Sequence, residues 1–209
     1  MRTEDGTKRV RAVLDGAVVA DTLTPRLVWE VPYYPTYWIP EADVRVDVIP
    51  AGLLRRGADG DGTGPAGYVR LEWEGMDHWF EEDEEVFVHP RDPHTRVDIL
   101  ASSRHVVVRV GGEVVAESRQ PRLLFETGLP TRYYLPLTDV RLDRLRPSTT
   151  VTHCPYKGTA LYWSVEVDGK VHPDVVWTYR TPLPESQKIA GLVAFWNERV
   201  EIEVDGVLA

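Results

Sequence analysis

Apolar and polar residues alternate along this chain in short runs, the period-two pattern of half-buried strands. Val44-Arg45-Val46-Asp47-Val48 alternates in this way, and so does Val165-Glu166-Val167, which runs into Asp168-Gly169. Val106–Val110, Gly111-Gly112 and Val114-Val115-Ala116 predict a hairpin, and Leu14-Asp15-Gly16-Ala17 repeats that turn with an Asp-Gly signal. Sixteen prolines punctuate the strands and discourage long helices. The best helix candidate is Glu185–Trp196, which follows Pro184 and contains Gly191. Arg55–Gly67 carries five glycines and reads as a mobile loop.

The pattern occurs twice. A shift of 96 lays Val13–Asp47 over Arg109–Asp143 without a gap, and fourteen of the 35 positions are identical. They include Pro25-Arg26-Leu27 over Pro121-Arg122-Leu123, Glu30 over Glu126, Tyr37 over Tyr133 and Asp43-Val44-Arg45 over Asp139-Val140-Arg141. A weaker match at a shift of 90 pairs Pro65 with Pro155, Leu71 with Leu161 and Trp73 with Trp163. A third, at 94, lays Arg104–Gly112 over Glu198–Gly206. Arg104–Val110 thus resembles both the opening of the first repeat and the close of the second. The expected fold is mostly β with minor α. It consists of two tandem units, 8–103 and 104–209, joined through a shared or bridging strand.

Composition narrows the setting. Of 209 residues 43% are hydrophobic, enough for a core, so global disorder is not expected. No run approaches the ~18 apolar residues of a membrane helix, and no apolar stretch follows Met1–Gly6 as a signal peptide would require. One cysteine forms neither an internal disulfide nor a Cys-rich zinc site. These features point to the cytoplasm. The net charge of −9 falls wholly on residues 1–103, while 104–209 is balanced. A nucleic-acid footprint would show a basic stripe, and none is present.

Several motifs in the second repeat carry a resemblance. They are Pro121–Pro130, Arg132-Tyr133-Tyr134-Leu135-Pro136, Thr152-His153-Cys154-Pro155-Tyr156-Lys157-Gly158, Trp177-Thr178-Tyr179 and Ala190–Phe195. Together they resemble the bacterial domain-of-unknown-function family 427 over essentially all of 104–209, with 8–110 as a diverged copy. The resemblance implies a compact β-tent fold similar to methionine sulfoxide reductase B without its zinc cysteines. A nucleotidyltransferase label sometimes attached to the family finds no Gly-rich phosphate loop or paired-Asp motif here. Where the second repeat has Thr152–Gly158, Arg132 and Tyr179, the first is expected to have Gly62–Tyr68, Thr36 and His89. If the motif marks a site, the second copy keeps it and the first has lost it.

The candidate catalytic groups are Cys154, a thiol that a nearby cation would activate, and Lys157, three residues on. Lys157 is equally able to hold an anion as a point charge. The competing readings are a buried small thiol and a turn with an exposed lysine. Arg132 offers a bidentate fork for a carboxylate or phosphate. Arg122 and Glu126, repeated as Arg26 and Glu30, suggest an ion pair in both copies. Of the aromatic residues, Tyr133, Tyr134, Tyr162, Trp163 and Trp177 are expected to be mainly core. Tyr156 and Tyr179 are the better pocket candidates. The histidines suggest no metal site, His89 and His94 being the closest to a pair. The acidic run Glu81–Glu85 reads as a solvated loop or an edge guard.

Three readings follow, none of them requiring a cofactor. A pocket of the second repeat transforms a small, neutral to weakly anionic molecule, or binds it without chemistry. Alternatively, the acidic first repeat docks a basic partner as an interaction scaffold.

Overall fold

The computed structural model describes residues 2–58 and 64–209. The chain divides into two compact units, Met1–Pro93 and His94–Ala209. Both are β, and helical content among the described residues is confined to short 3-10 turns.

The first unit holds β1 (Arg2–Asp5), β2 (Val10–Leu14), β3 (Ala17–Thr22), β4 (Arg26–Trp29), β5 (Thr36–Pro40), β6 (Leu54–Arg56), β7 (Tyr68–Leu71), β8 (His78–Glu81) and β9 (Glu84–Val86). They form two antiparallel sheets, ordered β1-β4-β5-β7-β6 and β3-β2-β8-β9. The second unit holds β10 (Val97–Ala101), β11 (Val106–Val110), β12 (Glu113–Ser118), β13 (Arg122–Glu126), β14 (Arg132–Leu135), β15 (Leu145–Cys154), β16 (Gly158–Val167), β17 (Lys170–Thr178), β18 (Val193–Phe195), β19 (Glu201–Val204) and β20 (Val207–Leu208). Its sheets run β10-β13-β14-β18-β17-β16-β15 and β12-β11-β19-β20.

The hairpin turns form where the sequence predicts them. Asp15-Gly16, Gly111-Gly112 and Asp168-Gly169 all have positive φ at both residues, the backbone of two-residue turns that match strand twist. Other expectations change. Gly191 adopts φ +70° and ends the candidate helix, which becomes a 3-10 turn (Pro184–Ile189) followed by β18 at the middle of a sheet. Val44 contributes a single bridge to Ala20, and the chain then turns, Val48 N–H donating to the Arg45 carbonyl. Glu81–Glu85 keeps Glu82, Asp83 and Glu84 exposed and ends in β9, an edge strand of its sheet, as an edge guard would. It is the β8–β9 hairpin, and Glu81 is buried, accepting from Tyr37 Oη at 2.6 Å and from Lys8 Nζ. In the proposed mobile loop, Arg55 and Arg56 belong to β6, while residues 59–63 lie outside the described residues.

The shared strand is also corrected. Among the described residues β11 is hydrogen-bonded to β12 and β19, both in its own unit. In the first unit β2 is flanked by β3 and β8 in the same way. The likeness of Arg104–Val110 to Glu198–Val204 thus reflects two neighbouring strands of one sheet. Strand β10, counted with the first repeat in the sequence, pairs with β13 as β1 pairs with β4. Moving the boundary transfers Arg96 and Asp98, one charge of each sign, so the acidity still belongs to the first unit.

Sheet pairing also shows what the copies do not share. β5 pairs with β7 through Trp38↔Arg70, and β14 pairs with β18 through Tyr134↔Ala194. β7 then pairs with β6, as β18 pairs with β17. The counterparts of β6 and β7 are therefore β17 and β18, and the matches found at a shift of 90 are not structural equivalences. Nothing in the short stretch from β5 to β6 corresponds to β15 and β16. Among the described residues the first unit has no counterpart of the hairpin that carries Cys154–Gly158, and Gly62 and Thr63 of the expected replacement lie outside them.

This hairpin extends a sheet whose two faces are both covered. Residues alternate across a strand. Leu123, Tyr133, Val176 and Val193 face one core with Val108, Val115 and Ile202. Their neighbours Leu124, Tyr134, Trp177 and Ala194 face a second core with Ala160, Tyr179 and Ile189. The candidate site opens on that second face.

Candidate functional site

Cys154 and Gly158 are cross-strand partners, so Pro155-Tyr156-Lys157 forms a three-residue hairpin loop. Proline presets the first turn residue, and Gly158 at φ +95° supplies the left-handed closing position. Two bonds tie the tip to the 3-10 turn: Leu183 N–H donates to the Lys157 carbonyl at 3.2 Å, and Ser186 Oγ to the Tyr156 carbonyl at 3.0 Å. The backbone of Lys157 is thereby fixed and its side chain directed inward. The lysine is 8% exposed, which excludes the turn with an exposed lysine.

Lys157 Nζ donates to Glu126 Oε2 at 2.5 Å, and the two side chains are only 11% and 9% exposed. The predicted Arg122–Glu126 pair does not form. Both residues lie on β13, where a rise of ~3.3 Å per residue puts positions four apart about 13 Å from each other. Arg122 makes no ion pair among the described residues, and Arg26 in the first unit reaches Asp5 at 3.3 Å. Glu30, the counterpart of Glu126, is paired with Arg70 at 2.7 Å. Each copy therefore pairs this glutamate with a cation from elsewhere in its sheet.

Glu126 and Lys157 line a cavity of about 210 Å³ together with Arg132, Tyr134, Trp177 and Tyr179. Tyr162, Leu129 and Trp196 complete it. Trp177 is the hub. Its ring meets Tyr134 and Trp196 edge-on, both at 6.5 Å, and its Nε1–H donates to Tyr134 Oη at 3.1 Å. The guanidinium of Arg132 lies 5.7 Å from the Trp177 ring centre. Its fork, expected to be open for a ligand, is held bidentate by Glu198 at 2.7 and 2.9 Å. This contact holds the Glu198 carboxyl below its usual range.

Burial pushes both pocket phenols upward. Tyr134 and Tyr179 are raised chiefly by desolvation, with the nearby Cys154 thiol and Glu126 carboxylate adding to it. Tyr179 is 5% exposed, and its hydroxyl has no hydrogen-bond partner among the described residues. Cys154 lies near both phenols but does not line the cavity, and it is half-buried. Tyr156 is buried at the hairpin tip, also outside the lining. His153 is exposed, its Nδ1 at 3.1 Å from Thr159 Oγ1. Among the described residues no cluster of three or more His, Cys, Asp or Glu is placed to hold a metal ion.

The structure thus gathers Lys157, Arg132, Tyr179 and Glu126 of the sequence candidates, and leaves Cys154, Tyr156 and Arg122 outside. Sequence reasoning assigned Tyr134, Tyr162 and Trp177 to the core and did not reach Trp196 or Glu198. The positions of Tyr134 and Trp177 in their strands, one residue after the core-facing Tyr133 and Val176, are the signal that could have placed them. A buried salt pair, a free phenol and aromatic walls suit recognition of a small ring. They do not constitute a nucleophile with its base.

No curated protein matches the chain. A family model matches residues 2–81 and 98–206, beginning near the starts of β1 and β10 and covering most of both units. The chain belongs to the family described as domain of unknown function (DUF427).

Proposed function

We propose that the second unit binds a small planar molecule, neutral to weakly anionic, in the cavity between the β15–β16 hairpin tip and Trp177. The observation that carries this reading is the unpartnered Tyr179 hydroxyl beside the buried Lys157–Glu126 pair in an aromatic-walled cavity. Ligand sites are mostly apolar with a few placed polar groups. At about 210 Å³ this one is below the ~300–1,000 Å³ of drug-sized pockets and fits a single ring. Lys157 is paired with Glu126 and Arg132 with Glu198, so the lining is close to charge-balanced, which suits a neutral to weakly anionic ligand.

Binding without covalent chemistry is the better supported form, because Cys154 stands outside the lining. The scaffold reading has less support. The acidic hairpin is already occupied, Glu81 by Lys8, Asp83 by Arg11 and Glu85 by His78.

The test uses benzamide, benzoate and phenol, followed by tryptophan fluorescence and ligand-observed NMR. Saturable binding by at least one, weakened about tenfold or more by Tyr179→Phe, is expected from loss of one hydrogen bond to a buried group. Absence of binding by all three, or binding that Tyr179→Phe leaves unchanged, overturns the reading.

A further inference from the structure

The first unit, although it lacks the hairpin, contains a larger cavity of about 540 Å³. It is not a relic of the other site. The two cavities share the equivalent positions Glu30/Glu126 and Thr36/Arg132, but their walls differ. Here the aromatic surface comes from Tyr37, Trp73 and Trp79. Trp73 and Trp79 stack at 4.9 Å with 5° between their planes, and Tyr37 leans on both at 6.2 and 5.6 Å. Trp79 Nε1–H donates to the Trp73 carbonyl at 3.1 Å, which fixes the stack. A second stack, Tyr34 on His89 at 3.9 Å, stands elsewhere along the lining.

The charge of this lining is one-sided. Glu30, Glu72 and Glu74 contribute three carboxylates, and Arg70 is the one arginine or lysine. Arg70 is spent on its neighbours, with Nη1 on Glu30 at 2.7 Å and Nη2 on Glu72 at 3.0 Å. Burial lowers the pKa of His89, which disfavours its charged form. Glu74 has no hydrogen bond or ion pair among the described residues. Arg55 reaches Glu30 at 3.9 Å from outside the lining, so the surplus is one negative charge, beside indole and phenol faces whose quadrupoles also attract cations.

We infer that the first unit binds a small organic cation, an alkylammonium or quaternary ammonium compound, against Trp73, Glu72 and Glu74. Arg70 positions Glu30 and Glu72 and leaves no free fork for an anion. The cation's alkyl groups lie on the aromatic wall, and its charge meets Glu74 and the Glu72 carboxylate that shares Arg70 with Glu30. The site is separate from the one proposed in the second unit, so each reading can fail alone.

The probes are choline and n-butylammonium, set against 3,3-dimethylbutan-1-ol, the isostere of choline in which carbon replaces the quaternary nitrogen, and against the anion 3,3-dimethylbutanoate. Binding to the full chain is measured by calorimetry and ligand-observed NMR. At least one cation is expected to bind about tenfold or more tighter than the neutral isostere, with 3,3-dimethylbutanoate weakest. Glu72→Gln/Glu74→Gln, two side chains outside the core, is expected to lower that affinity about fivefold or more at unchanged melting temperature. Trp73→Leu is expected to do the same, with circular dichroism reporting that the fold persists. Neither cation binding, the isostere or anion binding as tightly as the cation, or the Gln pair leaving affinity unchanged would each overturn the inference.

Discussion

Lys157→Met tests the central contact of the second unit. Methionine keeps the length of the aliphatic stem and removes the ammonium, so Glu126, 9% exposed in its side chain, loses its cation. Removing one partner of a buried ion pair costs ~3–5 kcal/mol, because the remaining charge is desolvated and uncompensated. Arg132 lines the same cavity and offsets part of this, so the expected loss is about 3 kcal/mol. For a unit of roughly a hundred residues, that lowers the melting midpoint by about 12 °C or more. Lys157→Met/Glu126→Gln removes both charges and is expected to lie within ~1 kcal/mol of the parent, about 2 kcal/mol more stable than Lys157→Met alone. Urea unfolding read by hydrogen exchange on peptides of each unit is the assay, and only second-unit peptides are expected to shift. A single variant within ~0.5 kcal/mol of the parent, or a double variant as unstable as the single, would refute the reasoning.

Further outcomes follow from the same geometry. Tyr134 and Tyr179 keep their protons in the folded chain beyond the ~10 at which an unfolded tyrosine ionises. The unfolded state then binds fewer protons, so stability falls as pH rises above ~10, and ultraviolet titration shows these two phenols ionising only with unfolding. Their early ionisation without unfolding would contradict the burial. Glu198→Ala frees the Arg132 fork and is expected to raise benzoate affinity about threefold or more over benzamide, measured by fluorescence titration. Cys154→Ser is expected to change the affinity of the best single-ring probe less than about twofold, since the thiol is outside the lining. A larger loss in calorimetry would return Cys154 to the site.

Local chemistry made the hairpins legible. Asp15-Gly16 and Asp168-Gly169 announce their turns because few residue pairs adopt positive φ together. The duplication is legible across its gapless core, where Glu30 and Glu126 share a role. Partners distant in sequence were not. Lys157 and Glu126 are 31 residues apart, and spacing arguments joined Glu126 to Arg122 because only near neighbours are visible to them. Pairing Trp73 with Trp163 failed for a similar reason: any amphipathic strand offers a similar set of aromatic and aliphatic residues. The first-unit cavity was hidden because Tyr37 and Trp79 are as buried as any core aromatic, and composition does not distinguish a cavity wall from core filling. What sets them apart is the flanking of Trp73 by Glu72 and Glu74.

The missing hairpin carries a wider implication. β15 and β16 are consecutive in sequence and stand at the margin of their sheet, and the first unit completes five strands without any counterpart. One contiguous insertion or excision separates the two architectures, with no rewiring of the strands that remain. A lineage can gain or discard this hairpin in a single genetic event and keep the order of the remaining strands. The walls of the two cavities can therefore come to differ by exchange of a cassette, faster than point substitution alone would allow.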